Sequence, residues 1–283
     1  MISLFNNLSQ KFSKLVAIKY STSFSLATKT LNPSIRNHIY NIYGFVRFAD
    51  EIVDSFHEYP KKELLENFEK NLFMALKNKI SLNPVLNSFQ ITVNKFNIDH
   101  SLIKSFLKSM KWDLNKKKYK SQNEFKEYVY GSADVIGLMC LKVFVKGEKT
   151  KYKELATNAM ALGSAFQKVN FLRDLKDDFE NLNRSYFPNI DFTNFSEVSK
   201  KNIINEINND FKIALIGIKK LPKNSKLGVY IAYKYYLKLL DKLEETPSIK
   251  IKTTRIRVPD YQKINLLLYL YFKHKFNLYN FIP

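Results

Sequence analysis

Glycine is scarce in this chain, seven in 283 residues, and none stands in a GxGxxG or GxxxxGKS/T arrangement. A dinucleotide fold and a P-loop both use glycines at fixed spacing to bring backbone amides against phosphates, so neither NAD nor ATP chemistry is signalled. Cysteine is nearly absent. Cys140 stands alone, which excludes an intramolecular disulfide and any cysteine-cluster metal site and fits a reducing compartment. It lies in an apolar run with no His or Asp beside it in sequence, and so reads as core rather than nucleophile. The four histidines, His38, His57, His100 and His274, lack ligand spacing. Long hydrophobic runs are missing too. The longest, residues 135–141 and 264–272, end at Lys142 and Lys273, well short of a bilayer crossing, and the first five residues lack the form of a signal peptide. The expected location is the cytoplasm, with peripheral association at the inner face of the membrane left open.

Acidic residues are outnumbered, 26 Asp and Glu against 46 Lys and Arg, for a net charge of +20. Such an excess attracts polyanions: nucleic acid, acidic lipid headgroups or diphosphates. The lysines are spread over nearly every stretch rather than gathered in one stripe, and no zinc-finger or RNP signature appears, so nucleic acid is not the expected partner.

What is present is helical periodicity. Hydrophobic residues make up 45% of the chain, enough for a substantial core, and no composition break divides residues 1–283, so one domain is expected. Apolar residues recur at helical spacing over residues 5–17, 34–56, 60–77, 84–96, 99–114, 124–145, 152–182, 199–218, 226–243 and 260–276, several of them opened by proline. Residues 20–25 break the pattern with hydroxyls and read as a loop able to present them to an anion. Small residues at 131–137 inside an apolar stretch predict a break or a close approach. Residues 247–258 read as a loop holding Arg255 and Arg257, with 250–258 as a candidate extended segment. The fold class is all-α.

Four polar residues interrupt the long stretch at 152–182. Gln167, Asn170, Asp174 and Asp178 recur at steps of three and four, so two amides and two carboxylates project from one helix face, bordered by Arg173. Upstream, Asp50 and Asp54 form a second carboxylate pair one turn apart, with Arg47 one turn before them. A lone DxxxD on a helix is usually a solvated face. Here there are two, both beside an arginine and both set in apolar sequence (Ile42, Phe45, Val46, Phe48; Val169, Phe171, Leu172), which argues that the charges face something other than water. Paired carboxylates suit Mg²⁺, a hard cation that takes oxygen ligands and lets substrate phosphates complete its shell. The pattern therefore points to a metal-bridged diphosphate.

These residues resemble the squalene and phytoene synthase family over most of the chain. Residues 20–24 are similar to the family's HSxSF segment, with Tyr20 in place of His. Residues 43–54 resemble its YxxxRxxDDxxD motif, and residues 167–178 its QxxNxxRDxxxD motif. The resemblance implies an isoprenoid-synthase-type helical bundle around a central cavity. It makes Asp50, Asp54, Asp174 and Asp178 the ligands of Mg²⁺, with Mn²⁺ as a substitute. Arg47, Gln167, Asn170 and Arg173 would then surround the diphosphates, Ser21, Ser23 and Phe24 would line the first diphosphate loop, and Tyr43, Tyr130, Tyr236 and Arg255 would complete the cavity. Tyr43, Arg47, Arg173 and Tyr236 are the residues it implies for catalysis. Two departures stand out: Glu51 replaces the second Asp of the first motif, and Asp134 stands where the family has Gly. The implied reaction is head-to-head condensation of two geranylgeranyl diphosphates to phytoene through a cyclopropyl diphosphate, with no NADPH. The alternative is squalene or dehydrosqualene formation from two farnesyl diphosphates, and the rival of another class is a basic helical nucleic-acid-binding protein. Oligomeric state is not encoded in these motifs.

Overall fold

A computed structural model describes residues 1–276 apart from 183, 189, 191, 192 and 194. Helices account for most of it: α1 (Ile2–Tyr20), α2 (Thr22–Lys29), α3 (Pro33–Asp54), α4 (Lys61–Asn78), α5 (Pro84–Phe96), α6 (His100–Asn115) and α7 (Gln122–Val129). After a five-residue π-helical segment, Tyr130–Asp134, follow α8 (Val135–Phe144), α9 (Lys149–Arg173), α10 (Leu175–Glu180), α11 (Glu197–Lys220), α12 (Lys223–Glu245), α13 (Ser248–Ile251) and α14 (Asp260–Lys275). Among the described residues there is no strand, only an isolated bridge between Lys118 and Ser185.

The helix carrying the first carboxylate pair illustrates how sequence sets the frame. Pro33 opens α3 with φ already helical, and the Asn32 side chain accepts the otherwise orphaned Ser34 N–H at 3.0 Å. Ile35, Ile39, Ile42, Phe45, Ile52 and Val53 then bury one face. Phe45 stacks on Phe89 with centroids 4.1 Å apart and on Phe68 at 5.8 Å, which locks the rotation of α3 and turns Arg47, Asp50 and Asp54 the other way. This core spans α3 to α6 and α8. A second core joins α7, α9, α11, α12 and α14. α9 packs against both α8 and α11 and so brings its polar stripe between the two cores.

The close approach expected near residues 131–137 is present. A Cβ on Gly137 would lie 2.6 Å from the carbonyl oxygen of Ala159, and one on Gly163 would lie 2.7 Å from that of Ala133. The π segment and the start of α8 therefore lie backbone to backbone on α9, and the wider π turn is where the chain departs from a regular helix.

Three expectations change. The hydroxyl-rich residues 20–25 are not a loop: only Ser21 is extended (φ −147°, ψ 107°), and its side chain caps α2 by accepting the Phe24 N–H at 3.2 Å. The single helix expected over 152–182 is broken at Asp174 (φ −98°, ψ 11°) between α9 and α10. Arg173 pairs with its immediate neighbour Asp174 through two hydrogen bonds, and successive residues on a regular helix do not face one another, so the break allows the pair. Finally, residues 250–258 form no strand: α13 takes the first two, and the rest runs without regular structure.

Candidate active site

Where α3, α9 and α10 meet the end of α1 and the middle of α12, they enclose a polar chamber of about 1550 Å3 including its mouth. Ser21, Ser23, Phe24, Tyr43, Arg47, Asp50, Asp54, Gln167, Asn170, Arg173, Asp174, Asp178, Tyr236 and Arg255 all line it. Tyr130 does not. Its side chain is 38% exposed and lies outside the lining of this chamber and of its apolar neighbour, while Tyr128, one residue type and two positions away, lines the polar wall. On α7, Phe125 and Tyr128 share the buried face at a spacing of three, and that periodicity was the signal available for choosing Tyr128.

Asp50, Asp54 and Asp174 are each met by an arginine at short range. Arg47 Nη1 lies 2.6 Å from Asp50 Oδ2, its other Nη hydrogen-bonds Glu51, and its guanidinium sits 4.4 Å over the Tyr20 ring. The departure at Glu51 thus serves Arg47. Arg173 and Arg255 both hold Asp174, the latter from Nε at 2.8 Å. Across the chamber, Arg184 reaches Asp54 at 2.7 Å. Tyr236 donates to Asn170 Oδ1 at 3.3 Å and stacks on Phe166 at 3.9 Å, while Gln167 donates to Ser132 at 3.3 Å.

Carboxylates so crowded resist ionisation. Burial, then the neighbouring Asp54, pushes Asp50 up to about 7, and burial with Asp174 and Asp54 close by pushes Asp178 up to about 8. Asp54, from the first motif, raises Asp178 from the second, so the two motifs face each other. Burial holds the Tyr43 hydroxyl up to about 12, and Tyr43 stacks on Phe24 at 4.4 Å.

A second layer escaped the sequence reading. Arg184 is 6% exposed; besides Asp54 it donates to the Asp113 carbonyl at 2.8 Å and to the Tyr186 hydroxyl at 3.3 Å. The Tyr128 hydroxyl donates to the Asp113 carboxylate at 2.8 Å, and burial lifts Asp113 to about 8. Asp113 was detectable, because Phe106, Met110 and Asp113 follow the buried face of α6 at helical spacing and an acid there breaks the pattern. Asp134, the other departure, accepts from the Ser164 hydroxyl at 2.7 Å, and burial raises it to about 7.

The polar chamber opens into an apolar one of about 1250 Å3 including its opening. Phe24, Tyr43, Val46, Ser132, Ile136, Phe166, Gln167 and Ala232 belong to both linings. Beyond them the wall is Leu31, Ile39, Leu141, Phe144, Leu155, Leu162, Ala214, Ile218 and similar side chains from α2, α3, α8, α9, α11 and α12. Cys140 is part of this wall, its thiol pushed up to about 12 by burial, as befits a core residue.

No three carboxylate, His or Cys groups among the described residues converge into a preassembled metal cage. The donor chemistry nonetheless fits a hard divalent cation: aspartates on two facing helices, crowded until two of them resist ionisation, relieved only by arginines. Mg²⁺ takes one or two carboxylates together with waters and phosphate oxygens, and so does not need a closed protein cage.

A helical bundle with this pair of adjoining chambers has the architecture of the isoprenoid synthases. Over most of its length it superposes on a ligand-bound dehydrosqualene synthase with a TM-score of 0.80, at 20% identity, covering 95% of this chain and 98% of that one. The sequence profile of squalene/phytoene synthases matches residues 17–262, and the chain belongs to that family, whose members are prenyltransferases. Among curated relatives, phytoene synthase 1 of Solanum lycopersicum is 26% identical over 247 residues, which are 81% of this chain and 60% of the relative, so the chain spans about 60% of that protein's length. The 15-cis-phytoene synthase of Synechocystis is 27% identical over 286 residues, covering 90% of this chain and 81% of the relative.

Proposed function

We propose that this protein is a prenyltransferase of the phytoene synthase type, condensing two geranylgeranyl diphosphates head to head into phytoene. The observation that carries the reading is the direct opening of the arginine- and aspartate-lined chamber into the apolar one, a charged pocket for diphosphates continuous with space for hydrocarbon tails. Family membership and the similarity to the Synechocystis 15-cis-phytoene synthase support it.

The residues divide the work by chemistry. Arg47, Arg173 and Arg255 bind diphosphate oxygens, exchanging their present carboxylate partners for substrate. Ser21 and Ser23 add hydroxyls at the α2 terminus, and Gln167 and Asn170 orient the reacting ends by hydrogen bonds. Asp50, Asp54, Asp174 and Asp178 would hold Mg²⁺, which when bound neutralises the departing diphosphate. Loss of the first diphosphate leaves an allylic cation, attacked by the double bond of the second substrate to give a tertiary cation; loss of a proton from the carbon that was ionised closes the ring to a cyclopropyl diphosphate, and a second ionisation, rearrangement and a further proton loss follow. Phe24, Tyr43 and Phe166 stand at the junction of the chambers, with Tyr236 stacked on Phe166 from the polar side, where their ring faces stabilise positive charge. The apolar wall excludes the water that would quench it.

A second reading, dehydrosqualene or squalene formation from two farnesyl diphosphates, is favoured by the close superposition on a dehydrosqualene synthase. Product analysis after incubation with C15 and C20 diphosphates together, with and without NADPH, separates them. A C40 hydrocarbon indifferent to NADPH is expected, and a dominant C30 product would replace the first reading with the second. Asp50→Asn and Asp174→Asn should each remove most turnover with helical content unchanged; near-normal activity in both would refute the diphosphate chamber, and salt-dependent duplex binding unaffected by either would favour the nucleic-acid alternative.

A further inference from the structure

Among the described residues, four arginines reach the aspartates of the polar chamber, and one of them is held unlike the other three. The side chains of Arg47, Arg173 and Arg255 are 28%, 22% and 40% exposed, and their hydrogen bonds and ion pairs run to carboxylates, so each can turn to a substrate. Arg184 is fixed. Its side chain is 6% exposed, and its guanidinium is divided among three elements. Nη1 donates to Asp54 Oδ1, at the end of α3, at 2.7 Å and to the Tyr186 hydroxyl at 3.3 Å, while Nη2 donates to the Asp113 carbonyl at 2.8 Å. That carbonyl lies in the last turn of α6, where the helix supplies no further N–H, and the arginine satisfies it.

The main chain of Arg184 is tied down as well. Its N–H donates to the Asp178 carbonyl at 2.8 Å, and the N–H of Ser185 donates to the Lys117 carbonyl, also at 2.8 Å. One residue is therefore bonded through its backbone to the last aspartate of the second motif and through its side chain to the last aspartate of the first. Distance decides which carboxylate the guanidinium serves. Asp113 Oδ1 is 3.8 Å from Nη1, and the Tyr128 hydroxyl already meets both Asp113 oxygens, at 2.8 and 2.9 Å. Asp54 receives the short bond, and it does so through Oδ1.

From this double attachment we propose that Arg184 is a positioning residue, which fixes Asp54 opposite Asp178 and so sets the separation of the two aspartate motifs for a divalent cation. A positive charge beside a metal ligand repels the metal, so the arginine contributes placement and not attraction. Outer partners of this kind orient the ligand they touch, and their loss typically weakens metal binding about 10- to 100-fold. The role presupposes that the chamber holds metal and diphosphate, as proposed for its function.

The test is Mn²⁺ binding by the full chain without substrate, read from the electron paramagnetic resonance signal of free Mn²⁺. Arg184→Lys keeps the charge and gives up the planar fork, and should bind Mn²⁺ about tenfold more weakly than the parent. Asp54→Asn should weaken binding too, and adding Arg184→Lys to it should cost less than about twofold more, because a residue that acts through Asp54 has nothing left to position. Circular dichroism verifies that each variant folds. Should Arg184→Lys not fold, Tyr186→Phe, which removes one partner of Nη1, takes its place in the same cycle with a loss of about threefold expected. Parent affinity in the folded variant, or an equal loss with and without the Asp54 carboxylate, overturns the role alone. A parent that binds no Mn²⁺ takes away the metal site and this role together.

Discussion

Arg255 and Arg257 differ by two positions and by everything around them. Arg255 sets its guanidinium against Asp174 and lines the polar chamber, whereas Arg257 is exposed and takes part only through its backbone carbonyl, which accepts from Lys242 at 3.2 Å. A planar fork that can engage two oxygens is not replaced by a lysine. Arg255→Lys should therefore lower kcat/KM about tenfold or more, with Arg257→Lys close to the parent; steady-state kinetics on both variants measure the difference, and equal effects would detach Arg255 from the site. His38 lends itself to a different measurement. Its Nδ1 contacts the Thr92 hydroxyl at 3.0 Å and its Nε2 faces the Lys95 ammonium at 3.2 Å, an arrangement that suits a neutral ring donating to threonine and accepting from lysine. Burial, reinforced by Lys95, lowers its pKa to about 4. Below its ordinary value near 6.5 the unfolded chain takes up a proton that the folded site refuses, so stability is full above that pH and declines as the pH falls toward 4. Urea unfolding at pH 7 and pH 4.5 should differ less in His38→Gln than in the parent, by on the order of 2 kcal/mol.

At the scale of elements, the contact between the π segment and α9 has little slack. Gly163 brings its Cα against the backbone of Ala133 and Asp134, where an added Cβ would meet a carbonyl oxygen at 2.7 Å and Cα at 3.1 Å. Backbone cannot rotate out of the way as a side chain can. Gly163→Ala should cost about 1–3 kcal/mol, read as a lower urea midpoint with unchanged m-value. The same change should disturb the site, because Gln167 lies one turn further along α9 and hydrogen-bonds Ser132 on the facing π segment. The helices themselves were legible: prolines and Asn, Asp or Ser caps opened most of them where sequence spacing expected. The break at Asp174 was not. There Arg173 and Arg255 converge on one carboxylate, and Arg255 comes from 81 residues away.

At the scale of the whole molecule, the proposed function makes the apolar chamber the part that would set substrate chain length. Ala214 lies on the part of its wall that the polar chamber does not share. Ala214→Phe would fill that region, so competition between C15 and C20 diphosphates at equal concentration should shift the product toward C30, with diphosphate release retained. An unchanged product ratio would mean that the tail does not reach α11.

The two aspartate motifs, their arginines and the all-helical class could be read from the chain because helical periodicity is local: residues three and four apart share a face whatever the rest of the protein does. That reading gave every lining residue it named but one. Tyr130 failed because two tyrosines two positions apart point in different directions, and it is Tyr128, three residues after Phe125, that shares the buried face of α7. Asp113 and Tyr128 left a signal in their helical spacing, whereas Arg184 was beyond it. Arg184 meets Asp54 across 130 residues and the Asp113 carbonyl across 71, and such pairs exist only once two cores have closed on each other. Sequence by itself determined which groups project from each helix. Tertiary structure alone decided which of them meet, because side-chain direction follows from the backbone's own period while a chamber is the space left between helices that pack.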